Sequence, residues 1–89
     1  MPRVSFASSI QRHVAVPDLE VPGATVRDVL DAVFAQHESL RGYVLDDQAG
    51  LRDHVVVFVD GAQVGDRRQL GDPVPANARV HVIQALSGG

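Results

Sequence analysis

Thr25-Val26-Arg27-Asp28-Val29-Leu30-Asp31-Ala32-Val33-Phe34 decides how the chain folds. Val26, Val29, Leu30, Val33 and Phe34 fall at helical spacing and form one continuous apolar stripe. Thr25 and Asp28 fit a capping box: the Thr25 hydroxyl accepts from an orphan amide, and Asp28 faces the positive end of the helix. Asp31 and Gln36 fall on the polar side, and the helix is expected to fade by His37 to Ser39. A helix with a single apolar stripe needs one apolar layer to cover it, and the flanking segments supply that layer as sheet.

Toward the N-terminus, Val4 and Phe6 alternate with Arg3, Ser5 and Ala7, the period of a half-buried strand. Ser8 to His13 is polar and suits a turn. A second short strand is expected within Val14 to Val21; Pro17 interrupts it and confines it to an edge, and Pro22-Gly23 closes it. Beyond the helix, Leu40 to Asp53 is irregular, with Gly42, Asp46-Asp47 and Gly50 marking loop and Leu40, Tyr43, Leu45 and Leu51 tucking against the helix end. His54-Val55-Val56-Val57-Phe58-Val59 then reads as a strand covered on both faces. Asp60-Gly61 is a hairpin turn, and Ala62-Gln63-Val64 its short return. Arg67 to Ala78 is loop with Leu70 as a buried plug, and Arg79 to Ala85 alternates again as a final strand. The expected fold is α+β: a mixed sheet of four to five strands packed on one main helix, as a single domain over residues 1–89 with residues 85–89 as an exposed C-terminal tail. Val4 and Phe6 are expected beside Val80 and Val82, with the first and last strands parallel in the middle of the sheet.

Composition removes several function classes. The chain has 89 residues, room for one domain. It has no cysteine, so disulfides, thiolate metal sites and a cysteine nucleophile are excluded. The net charge is −3, and no basic stripe with stacking rings is visible, which argues against nucleic-acid binding. The longest apolar run, Val55 to Val59, is too short to span a bilayer. Met1 to Phe6 runs straight into a strand pattern without a charged leader, and a cytoplasmic location is expected. His13, His37, His54 and His81 show no metal-ligand spacing, and His81 should face away from the Val80 and Val82 side. Asp46-Asp47 and Arg67-Arg68 read as solvated loop pairs, and Gly61 and Gly65 form no phosphate-binding pattern.

Chemistry is left to Gln84-Ala85-Leu86-Ser87-Gly88-Gly89. At average glycine usage a terminal Gly-Gly arises by chance in roughly one chain in two hundred, so its position matters more than its presence. It succeeds a strand expected to be central. Glycines thread narrow channels because they lack Cβ atoms, and from Ala85 the segment reaches roughly 17 Å when extended.

Three segments in order, Thr25-Val26-Arg27-Asp28-Val29-Leu30, His54 to Gly61, and the strand ending in Ser87-Gly88-Gly89, resemble the MoaD/ThiS family of ubiquitin-like sulfur carriers. The long segment before His54 is more similar to the molybdopterin-synthase small-subunit type. The resemblance implies a β-grasp, ubiquitin-like fold and a protein co-substrate in place of an enzyme. It implies that an adenylating enzyme of the ubiquitin-activating type spends ATP on the Gly89 carboxylate. A sulfur donor, a cysteine desulfurase or rhodanese-like protein carrying a persulfide, then yields a thiocarboxylate. The acceptor would be a synthase subunit in molybdopterin, thiamine, cysteine or related biosynthesis. Gly88, Ser87 and Leu86 would contact the partner, with Leu86 either an exposed anchor or packed at the sheet end; no cofactor is expected on this chain. Conjugation to target proteins through Gly89, as a ubiquitin-like modifier, is the alternative, and a plain binding module a third. All eight basic residues are arginine, which removes side-chain amines that could attack an activated tail and also fits general Arg-for-Lys usage.

Overall fold

The computed structural model describes residues 1–11 and 16–84. Its centre is the capped helix, α2 (Val26–Gln36), preceded by β1 (Arg3–Phe6), α1 (Ser8–Gln11) and β2 (Leu19–Glu20). After it come α3 (Glu38–Val44), β3 (Val55–Val59), β4 (Ala62–Gln63) and β5 (Arg79–Gln84). All five stripe residues of α2 are buried, and the Asp28 amide donates to Thr25 Oγ1 at 3.2 Å, as the capping pattern requires. The strands form one five-stranded sheet in the order β2-β1-β5-β3-β4. β1 and β5 run parallel, with Val4 beside Val80 and Phe6 beside Val82, and β3 pairs antiparallel with β5 from Val55↔Gln84 to Val59↔Val80. The core lies between this face of the sheet and α2, where Val4, Leu30, Val33, Val55 and Val80 are fully buried.

Four local features differ from the sequence expectations. Residues 38–44 form a helix in place of irregular chain: Leu40 and Val44, one turn apart, are buried, and Glu38 opens the first turn. Tyr43, expected to tuck in, is 40% exposed on that helix, whereas Leu40, Leu45 and Leu51 are buried. Ser8 to Gln11 is one helical turn, started by amides of Ile10 and Gln11 on the Ala7 carbonyl. β3 is covered on one face only: Val55 and Val57 are buried, while Val56 and Phe58 on the other face are half-exposed. The short edge strand expected within Val14 to Val21 is present as Leu19–Glu20, with Val14 and Ala15 outside the described residues.

Gly23 makes the turn into α2 possible. Its φ is +155°, and a Cβ there would lie 2.7 Å from a Val29 methyl and 2.8 Å from the Val29 amide nitrogen. Leu70 is the buried plug of the long loop, at a positive φ of 60°. The Arg27 amide donates to its carbonyl at 2.9 Å, which ties the loop to the first turn of α2.

The two loops at the end of the molecule that carries α3 are held by carboxylates and arginines across long sequence separations. Asp46 accepts from the amides of Gln48 and Gly50 and lies 3.4 Å from the Arg68 guanidinium, so neither Asp46 nor Arg68 is simply solvated. Arg67 donates to the Arg52 carbonyl at 2.7 Å. Asp66 accepts from the amides of Arg68, Gln69 and Gly71. Backbone amides, those of Gln69 and Gly71 foremost, hold the Asp66 carboxyl below its ordinary value of 3.8. The folded chain therefore takes up this proton less readily than the unfolded chain. The stabilisation is complete above the ordinary value and is lost as pH falls through the lower folded-state value. Asp66→Asn, which resembles the protonated form, is expected to melt below the parent at neutral pH. Melting curves stepped from neutral to strongly acid pH should show the two converging, and a gap independent of pH would refute the assignment.

Candidate functional site

β5 is the central strand of the sheet, and the described residues end with it at Gln84. The parallel ladder ends at Phe6↔Val82, and the Ala7 amide extends it by one bond to the Val82 carbonyl at 2.9 Å. On the other side the antiparallel ladder continues to Gln84↔Val55. α1 flanks this exit on the β1 side, with Gln11 Nε2 donating to the Phe6 carbonyl at 3.2 Å. The turn at Asp53 and His54 immediately precedes Val55 and flanks it on the β3 side. β5 is thus bonded on both sides through Val82 and on the β3 side through Gln84, an ordered base for the residues that follow in sequence. Leu86, Ser87, Gly88 and Gly89, the residues singled out from the sequence, lie outside the described residues.

The face of the sheet turned away from α2 has an apolar half and a charged half. Near the exit, Ile83 of β5 and Val56 of β3 pair across the ladder and are half-buried, with Phe58 two residues further along β3. Toward the start of β5 the face becomes polar. His81 is exposed, as its alternation with Val80 and Val82 predicted, and its Nδ1 lies 2.7 Å from Ser5 Oγ. Arg3 and Arg79 are neighbours in the parallel register, and with Ser5 and Asp18 they line a cleft of about 350 Å³. No single stretch of sequence announces this cleft. The signal is nonetheless present, because a parallel β1–β5 pairing that sets Val4 beside Val80 also sets Arg3 beside Arg79.

Other candidate chemistry does not assemble. Among the described residues no group of three or more His, Asp or Glu side chains is placed to hold a metal ion. His37 and His54 stand apart at the ends of different elements, and His13 lies outside the described residues. Among the described residues no helix is long and apolar enough to cross a membrane.

Comparison with known proteins places this geometry. A family model described as the ThiS family matches residues 10–89. Among solved structures, SAMP1 from Haloferax volcanii superposes with a TM-score of 0.79 at 26% identity, covering 99% of this chain and 98% of that one. A chain of the Amycolatopsis orientalis BexX/CysO complex gives 0.83 at 22% identity with complete coverage of both. CysO from Mycobacterium tuberculosis gives 0.81 at 17% identity, covering 97% of this chain and 100% of that one. No match was found among curated proteins. The five-stranded sheet with its crossing helix is therefore the β-grasp, ubiquitin-like fold.

Proposed function

Because the chain belongs to the ThiS family, we propose that it carries sulfur as a thiocarboxylate on Gly89. The supporting observation is the architecture of β5: the central strand, bonded on both sides through Val82, which the sequence continues through Ala85 into Leu86-Ser87-Gly88-Gly89. A free carboxylate is a poor electrophile. In the first step a Gly89 carboxylate oxygen attacks the α-phosphorus of ATP on an adenylating enzyme, pyrophosphate leaves, and an acyl-adenylate forms. The terminal sulfur of a donor's persulfide then attacks the acyl carbon, and AMP leaves with its electron pair. A thiol cleaves the resulting acyl disulfide, so that the thiocarboxylate departs and the donor is left as a disulfide. The chain's own part is steric and mechanical. Its rigid body is recognised, and glycines without Cβ atoms bring one carboxylate into a narrow site. A body with no cysteine offers no thiol to divert the activated acyl group. In this scheme the chain is a co-substrate for an activating enzyme, a sulfur donor and a sulfur-accepting synthase.

The test is intact mass after incubation with ATP, an activating enzyme and a sulfur source. The expected result is a gain equal to one oxygen replaced by one sulfur. An unchanged mass with an enzyme that demonstrably consumes ATP on this chain would count against it.

The likeness to SAMP1, a protein of a kind named small archaeal modifier, favours conjugation as a second reading. There the same acyl-adenylate would be attacked by a target lysine, and isopeptide-linked products would appear in place of the sulfur mass gain.

A further inference from the structure

We infer that the cleft between Arg3 and Arg79 receives a carboxylate side chain from the enzyme that activates the tail, a second docking point at the far end of β5. The inference rests on the carrier role proposed for Gly89 and adds a contact that the tail does not make. Arg3 and Arg79 are neighbours in register on an exposed sheet face, where like charges on adjacent strands are destabilising without an anion to answer them. Arg3 is answered by Asp18 at 3.7 Å, and Glu20 stands opposite it in the β1–β2 register. The Arg79 guanidinium has no hydrogen bond or ion pair among the described residues. The nearest acid on the β3 side, Asp60, spends an oxygen on the Arg79 backbone amide at 2.9 Å. The uncommitted Arg79 cation lines the cleft, in a protein whose net charge is −3.

A protein-borne carboxylate fits this cleft better than a free anion. The walls are open and Asp18 forms one of them, so a small anion in water is weakly held. The same face continues through Phe58, Val56 and Ile83 toward the exit of β5, half-exposed apolar groups that a protein partner covers. Covering them excludes water from the rim and strengthens the Arg79 contact. Five strand steps separate Arg79 from Gln84, roughly 17 Å, so contacts at both ends fix the direction of β5 and aim the tail.

The experiment measures the dissociation constant for the full chain and its activating enzyme by direct titration, alongside steady-state adenylation. Arg79→Glu is expected to weaken binding and raise the KM for the carrier about tenfold, with kcat unchanged at saturation. Arg79→Lys should recover most of the affinity, and added salt should weaken the parent more than Arg79→Glu. Inorganic phosphate should compete no better than chloride at matched ionic strength. Parent-like affinity in a folded Arg79→Glu, or specific inhibition by phosphate that Arg79→Glu leaves unaltered, overturns the proposal. A chain that binds through Arg79 yet is never adenylated sinks the tail chemistry and leaves the cleft standing.

Discussion

Removing Gly89, or adding one residue after it, is expected to abolish adenylation while thermal unfolding stays that of the parent. One residue moves a terminal carboxylate by about 3.5 Å. An error of about 1 Å in a reacting group already costs on the order of a hundredfold. The expected fall in adenylation rate is therefore at least a hundredfold, seen as loss of ATP–pyrophosphate exchange and of the sulfur mass gain. The body should not register the change, because among the described residues the last ladder pair is Gln84↔Val55 and the core residues precede it. Full activity in either variant would show that Gly89 is not the acylated residue. Arg79→Glu is expected to behave differently, raising KM with kcat unchanged, so loss of docking and loss of the reacting group are distinguishable in one assay.

Leu30→Ala is expected to have the largest effect on stability. Leu30 is fully buried in the middle of the α2 stripe, and truncation removes apolar contact and leaves a cavity. Such changes cost about 2–5 kcal/mol. A domain of this length has on the order of 5–10 kcal/mol to lose, so the melting temperature should drop by more than about 10 °C. Asp31→Ala, one residue on and exposed, should stay within about 0.5 kcal/mol of the parent. Equal melting temperatures for Leu30→Ala and the parent would mean that the helix does not pack as described.

The parts that could be read in the sequence are those whose determinants are local and periodic. The α2 stripe and its Thr25 cap follow from spacing alone, and the alternation at Val4 and Val80 identifies the strands that meet in the centre. α3 was hidden because only Leu40 and Val44 of its residues are buried, too few for a period, and Gly42 lies in its interior. The apolar run of β3 carries no information about how many of its faces are covered. That depends on the uncovered side of a sheet whose other strands lie far away in sequence. The Asp46–Arg68 pair is 22 residues apart and the Ser5–His81 contact 76, separations at which spacing says nothing. For the candidate site the division is similar. The glycines announce themselves by composition, whereas the arginine cleft exists only once two strands from opposite ends of the chain are in register.

That register also governs when the molecule comes into being. β5 holds β1 on one side and β3 on the other, so without residues 79–84 the sheet falls into two separate two-stranded ribbons. Ribbons of that size are at best marginal in water. On the ribosome the chain can form little beyond α2 until its last strand has emerged, and the decisive pairing closes a loop of nearly the whole sequence, a slow step. Folding therefore waits for β5, and a chain cut short before residue 79 is expected to stay unfolded. On the carrier reading proposed above, an activating enzyme that docks on the assembled sheet would select for chains whose β5 is in place, so the strand order itself would act as a check on the substrate.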